Sequence, residues 1–232
     1  MNLLSAETVS EYYYIMLVFP QIKLIQHNTP SGRFYETPEG DFFPSITTVL
    51  SSIPHPELDA WRAAVGDDEA NRISRQATTR GTKFHTYCEQ VLLGTLPTLD
   101  VFDKQSYTSI LPHLSKIEHI AIEAPVYSKK LRVAGTLDCL GYYENELCLI
   151  DFKTTRRMKF DGEFDSYYLQ TAAYAAMVYE VSGIIVPNLL ILMQNLQDGE
   201  TYVFREKTSR WLPRFISIRN AFEDKCPLLP RT

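Results

Sequence analysis

The 232-residue sequence has few cysteines and no long apolar segment. Its four cysteines, at positions 88, 139, 148 and 226, form no C-x-x-C pair, so their spacing favours neither a zinc site nor a disulfide framework. The longest apolar run near the N-terminus covers residues 12–20, much less than the roughly 20 residues that cross a bilayer. We therefore expect a protein of a reducing compartment, the cytoplasm, with no membrane partner.

An excess of positive charge is also missing. Against 28 Asp and Glu there are 23 Lys and Arg, which gives a net charge of −5. This balance argues against binding nucleic acid by bulk positive charge, but it does not exclude a local basic groove. With 10 glycines, 13 prolines and 45% hydrophobic residues, the composition is that of a globular protein, and disorder is excluded as the main content.

The order of periodic segments predicts a mixed α/β domain. Residues around the turn Thr37-Pro38-Glu39-Gly40 predict a hairpin within 33–50. Apolar spacing predicts helices at 57–76, 80–93, 165–181 and 210–224, and alternation predicts strands at 119–128, 131–140, 146–152, 189–194 and 201–205. We expect one domain over 1–232, composed of an extension (1–32), a hairpin and helical arch region (33–79), a catalytic core (80–205) and a C-terminal helix (206–232).

Two acidic residues and one lysine are the first candidates for chemistry. Asp151 and Lys153 alternate onto one face of a predicted strand, and a hairpin brings Asp138 close to Asp151. Two carboxylates held together repel each other unless a cation lies between them, and hard oxygen ligands select Mg²⁺ or Mn²⁺. Taken alone, a D-x-K triplet is more often a solvated ion pair, so its context must decide.

Two helical pairs supply that context. His85 and Glu89 lie at i, i+4 and can extend a metal site, although such a pair is often a surface hydrogen bond. Gln170 and Tyr174 have the same spacing and can grip a phosphate or stack on a base, although core packing explains Tyr174 nearly as well. Glu123, an acidic residue inside a predicted strand, is either a member of the outer shell of the site or simply exposed.

Basic residues flank these motifs in two groups that can follow a phosphate backbone. An alternative interpretation of each group is a solvated surface. Trp61 is a further candidate, for stacking on bases beneath the predicted helical region. The basic candidates for DNA binding are Arg72, Arg75, Arg80, Arg156 and Arg157.

The order of these motifs resembles the RecB-type branch of the PD-(D/E)xK nuclease superfamily, and within it the exonucleases of tailed phages and of mitochondrial genome maintenance. The resemblance spans residues 33–205. It rests on Arg80-Gly81-Thr82-x-x-His85-x-x-x-Glu89, Gly135-Thr136-Leu137-Asp138, Asp151-Phe152-Lys153-Thr154 and Gln170-x-x-x-Tyr174. Leu137 stands where the superfamily nominally has proline, a change that the superfamily tolerates.

The resemblance implies a restriction-endonuclease-like core with flanking helices and a metal-dependent DNA exonuclease activity. Asp138, Asp151 and the backbone carbonyl of Phe152 would bind Mg²⁺ or Mn²⁺, with His85 and Glu89 as further ligands. Lys153 would activate water or stabilise negative charge, while Gln170 and Tyr174 would position the strand. Members with an iron–sulfur cluster need three cysteines after the core, but only Cys226 follows it here, so no cluster is expected.

The expected partner is DNA, with single-stranded ends favoured, in phage-type replication, recombination or degradation inside a host cytoplasm. Other replication or recombination proteins are further candidate partners. Three alternatives remain open: a DNA-binding accessory protein with a decayed nuclease fold, a structure-specific endonuclease, and a phosphoesterase acting on small nucleotides.

Overall fold

A computed structural model describes residues 19–97, 107–156 and 164–225. The first 18 residues of the predicted extension and the candidate Arg157 therefore lie outside the described residues. Within the described ranges, no helix combines the length and the apolar character that crossing a bilayer requires.

A small antiparallel sheet forms the N-terminal part of the described chain. Its strands are β1 (Ile25–Thr29), β2 (Gly32–Glu36) and β3 (Phe42–Pro44), in that spatial order. The pairing of β2 with β3 confirms the predicted hairpin. Strand β1 was not predicted, because its residues are mostly exposed and show no apolar alternation.

The small sheet is joined to the rest of the protein by the segment that follows β3. Ser45 forms a parallel bridge with Ala134 and caps helix α1 (Ile46–Leu50), where its Oγ accepts a hydrogen bond from the Thr48 amide at 3.0 Å. The buried residues of α1 then pack into the main core. This segment fixes the small sheet beside the strand that contains Asp138.

Helices α2 (Pro56–Val65) and α3 (Asp67–Leu92) follow, separated at Gly66. The prediction of two helices at 57–76 and 80–93 is wrong about where the first helix ends and the second begins. Gly66 has φ 83°, a left-handed conformation that glycine adopts at low cost, so the chain breaks there and then continues as one long helix through Gly81. Leu58 and Val65, apolar residues of α2, are exposed.

The main sheet contains β4 (Ile117–Ser128), β5 (Val133–Tyr143), β6 (Glu146–Thr155), β7 (Asn188–Asn195) and β8 (Thr201–Lys207). Neighbours pair in that order, antiparallel except for β6 and β7, which are parallel. Parallel neighbours need a crossover, and helix α5 (Asp165–Ser182) provides it. The mixed sheet with flanking helices confirms the predicted fold class and is compatible with a restriction-endonuclease-like core.

Helices cover both faces of this sheet. Helix α5 packs with α6 (Thr208–Lys225) on one face, where Ala172 and Ala173 are fully buried. The other face carries the C-terminal half of α3 and a short helix, α4 (Leu111–Leu114). Strand β6 is therefore a central strand. Leu149 packs in the hydrophobic cluster on the side of α5 and α6, and Phe152 packs in the cluster on the side of α3 and α4.

Candidate active site

Asp138 and Asp151 lie where β5 and β6 separate. The last paired residues of these strands are Cys139 and Ile150, and the two aspartates come immediately beyond that pair. Asp138 Oδ2 accepts a hydrogen bond of 2.9 Å from the backbone amide of Phe152. A side chain thus takes the place of the missing ladder bond and holds the Asp138 carboxylate beside β6.

Lys153 lies next to Asp151, as the strand alternation predicts. Its Nζ is 2.5 Å from Asp151 Oδ2 and 5.3 Å from the centroid of the Tyr167 ring. Gln170 Nε2 donates a hydrogen bond of 2.9 Å to Asp151 Oδ1. Among the described residues, Oδ2 has no hydrogen bond of good geometry, so the Lys153 ammonium meets this buried oxygen as an ion pair.

A second group combines His85 with two carboxylates. His85 Nδ1 is 3.4 Å from Asp138 Oδ1 and 4.0 Å from Glu123 Oε1, and one ligand atom from each residue lies within 4.8 Å of the others. The His85 ring also packs edge-on against Phe152 at a centroid distance of 6.4 Å. Imidazole and carboxylate donors suit a divalent cation, so this group could hold one.

Glu123 reaches the group through an unusual backbone conformation. The pairs Ile122–Cys139 and Ala124–Leu137 flank it on β4, so it lies opposite Asp138, yet its φ is 45°. A left-handed glutamate inside a strand is strained. Glu89 lines the same cleft as Glu123, but it is not one of the three residues whose ligand atoms converge.

Burial and charge shift the pKa values of these groups in opposite directions. Burial would raise the pKa of Asp138, but His85, Lys153 and the Phe152 amide together hold it below its usual value. Burial raises the pKa of Asp151 to about 6 against the opposing effect of Lys153. Burial, with Asp138 nearby, raises the pKa of Glu123 to about 7. His85 and Lys153 therefore offset only part of the negative charge of these carboxylates.

The two cationic groups respond to the same carboxylates. Burial would lower the pKa of His85, but the Asp138 carboxylate outweighs it and the pKa lies above its usual value. Burial would also lower the pKa of Lys153, and Asp151 and Asp138 reverse that effect. Lys153 is therefore an ammonium at neutral pH.

A cleft of about 440 Å³ opens over the His85 group. Tyr174 lines it, and a Cβ added to Gly135 would lie 2.7 Å from Tyr174 Oη, so glycine permits this close approach. The small sheet contributes Gln26, Arg33 and Tyr35 to the lining of this cleft. No motif in the sequence indicated these three residues, because their place depends on the docking of β1–β3 against β5.

A second cleft, of about 570 Å³, lies beyond Gln170. Gln170 and Tyr167 line it, together with residues of α1, α2 and their connection, including Ser51 and His55. Gln170 also contacts Asp151, whereas His85 in the first cleft contacts Asp138, so each cleft has a lining residue beside one of the two aspartates.

The predicted DNA-binding residues do not all lie in the same part of the structure. Burial lowers the pKa of Arg80, and repulsion from Arg156 adds to the effect, so these two cations are close to each other. Arg72 instead pairs with Glu69 at 2.6 Å, on the exposed side of α3, and Arg75 is also exposed. Trp61 is half-buried on α2, and it lines neither of the two clefts.

Comparisons with known proteins agree with the chemistry of this site. No family model matches the chain. The mitochondrial genome maintenance exonuclease 1 of Xenopus tropicalis is 27% identical over 78% of this chain and 59% of its own length. The proteins of the same name from Mus musculus and Homo sapiens are each 28% identical, over 58% and 56% of this chain and 44% and 42% of their own lengths.

The chain thus spans about half the length of the curated relatives it matches. These relatives are named as exonucleases of genome maintenance.

Proposed function

We propose that this protein is a Mg²⁺- or Mn²⁺-dependent deoxyribonuclease of the RecB type in the PD-(D/E)xK superfamily, with the catalytic core in residues 80–205. The observation that carries this proposal is the convergence of Asp138, Asp151 and Lys153 where β5 and β6 separate. Hydrolysis of a phosphodiester needs a deprotonated water and neutralisation of charge at the phosphate, and this set of residues can serve both needs.

Asp138, Asp151, His85 and the Phe152 carbonyl would hold the cation, with Glu123 and Glu89 beside them. A bound divalent cation lowers the pKa of a water and offsets negative charge on the phosphate. Gln170 fixes the Asp151 carboxylate through its hydrogen bond to Oδ1. The Lys153 ammonium holds the attacking water or stabilises the charge that develops on the phosphate.

We further propose that the enzyme acts as an exonuclease on single-stranded DNA ends, in DNA replication, recombination or degradation. The relatives are named exonucleases of genome maintenance. The cleft of about 440 Å³ over the His85 group and the cleft of about 570 Å³ beside Gln170 offer room for one strand. Arg80 and Arg156 repel each other, and both cations are available to bind backbone phosphates.

The hydrolytic site is tested with Asp151→Asn and Lys153→Ala, assayed on labelled single-stranded DNA with Mg²⁺ or Mn²⁺. Each variant should lose at least about 100-fold in rate, because each removes charge that the reaction uses. Matched controls are Asp224→Asn and Lys130→Ala, at exposed positions outside both clefts. Wild-type rates in both site variants would refute the assignment, and EDTA should abolish the wild-type activity.

The form of the substrate is tested by offering linear single-stranded, linear duplex and closed circular single-stranded DNA. An exonuclease should degrade the linear single strand and spare the circle, and 5′- and 3′-labelled products give its polarity. Rapid cleavage of circles would instead identify an endonuclease. Binding of every form without cleavage would identify an accessory protein.

A further inference from the structure

Arg33 is a cation of the cleft that the proposed reaction does not yet use. It is exposed on β2 and lines the same cleft as His85. Among the described residues, no carboxylate lies within ion-pair distance of its guanidinium, although Glu89 and Glu123 line the same cleft. An arginine that faces this cleft without a carboxylate partner is available to an anionic ligand.

The backbone of Arg33 is held firmly. Its amide donates to Thr48 Oγ1 at 2.9 Å, and its carbonyl accepts from the same hydroxyl at 3.0 Å and from the Ser45 amide at 2.8 Å. Gly32 precedes it with φ 125°, and a Cβ there would lie 2.5 Å from Thr48 Cγ2. Thr48 belongs to the capped helix α1. The backbone of Arg33 is therefore pre-organised, which reduces the conformational entropy that is lost when its side chain binds a ligand.

The charges of the cleft show what this cation would do. A DNA strand that approaches His85 passes two glutamates, which repel its phosphates. A cation at the His85 group would offset part of this repulsion. Arg33, which lines the same cleft, offsets more of it, and its planar guanidinium can hold a phosphate through two hydrogen bonds.

We propose that the small sheet β1–β3 is the DNA-binding wall of the cleft and that Arg33 binds a backbone phosphate of the strand. This inference rests on the proposed nuclease function, and it adds a residue outside the motifs of the catalytic core. Arg33 is a positioning residue, because it holds the strand and takes no part in the chemical step.

The test measures the binding of a fluorescent single-stranded oligonucleotide in Ca²⁺ by wild type, Arg33→Ala and Arg33→Lys. Lys23→Ala is the matched control, since Lys23 is exposed, precedes the same sheet and does not line the cleft. Arg33→Ala should weaken binding about 10-fold. It should also lower the slope of log Kd against log salt by about 0.7, the value for one phosphate contact on a single strand.

A second arm locates the phosphate. Oligonucleotides that carry one neutral methylphosphonate are compared, with the substitution moved along the strand. At one position the substitution should weaken binding by wild type and by Lys23→Ala but leave Arg33→Ala unaffected, because that variant has already lost the contact. Arg33→Lys should retain part of this dependence. Unchanged melting temperatures would exclude a general loss of structure.

The outcomes separate this inference from the proposed function. If wild type cleaves DNA and Arg33→Ala matches Lys23→Ala in affinity and salt slope, the inference is wrong and the nuclease stands. If wild type binds DNA without cleavage while Arg33→Ala shows the reduced slope, the binding wall stands and the hydrolytic function is wrong. If wild type binds no DNA, both are overturned.

Discussion

Asp151→Asn should stabilise the metal-free protein while it abolishes the proposed activity. The Asp151 side chain is 3% exposed, and burial raises its pKa from the ordinary value of 3.8 to about 6, partly opposed by Lys153. At neutral pH the folded protein must therefore keep a costly charge that the unfolded chain solvates freely. Asparagine resembles the protonated acid in shape and removes that cost.

The size of the effect follows from the same shift. The rise of the Asp151 pKa from 3.8 to about 6 means that ionised Asp151 lowers the free energy of unfolding at pH 7 by about 3 kcal/mol relative to the protonated form. Because the pKa is raised on folding, the folded state holds the proton more tightly. The stability of the wild type therefore falls as the pH rises from about 4 to about 6, and it then levels off.

The assay is urea denaturation of both proteins in EDTA between pH 4 and pH 8, with linear extrapolation to water. The variant should be more stable by up to about 3 kcal/mol at pH 7, and the gap should close as the pH falls towards 4. Asp224→Asn, at an exposed position, controls for the change of residue type. A variant that is no more stable than wild type at pH 7, or a gap that does not change with pH, would refute the electrostatic argument.

Three further substitutions examine the surroundings of the site. His85→Ala should raise the metal concentration for half-maximal activity about 10- to 100-fold, and an unchanged titration would contradict a ligand role. Gly135→Ala should reduce activity, because the new Cβ would lie 2.7 Å from Tyr174 Oη, and adding Tyr174→Phe should restore part of it; no rescue would show that this clash is not the cause. Tyr167→Leu should lower kcat by about 2- to 30-fold, because it removes the ring 5.3 Å from the Lys153 ammonium. Tyr167→Phe keeps the ring and should keep the rate, and equal rates in the two variants would exclude that contact.

Local periodicity predicted the elements that carry the aspartates. Strands β4, β5 and β6 and helix α5 follow from alternation and from helical spacing, and these patterns survive folding because each element buries a regular face. The same reasoning places Asp151 and Lys153 together, and the 2.5 Å contact confirms their proximity. Such predictions succeed where the geometry depends on neighbours in sequence.

The features that local sequence patterns did not predict depend on contacts between distant segments. Strand β1 has no apolar alternation of its own, and it forms by pairing with β2. Glu123 joins His85 only because its backbone leaves the usual strand conformation, and no residue pattern announces a positive φ at glutamate. The role of Arg33 as a cleft residue likewise requires the bridge between Ser45 and Ala134.

The separation of β5 from β6 explains why the chemistry lies in the interior of a sheet. Strand β6 stays paired with β7 through Thr155, whereas its pairing with β5 ends at Ile150. The amide of Phe152 would lose its partner there, and Asp138 accepts its hydrogen bond instead. The break in the ladder therefore orients the Asp138 carboxylate beside β6, where Asp151 Oδ2 forms an ion pair with Lys153.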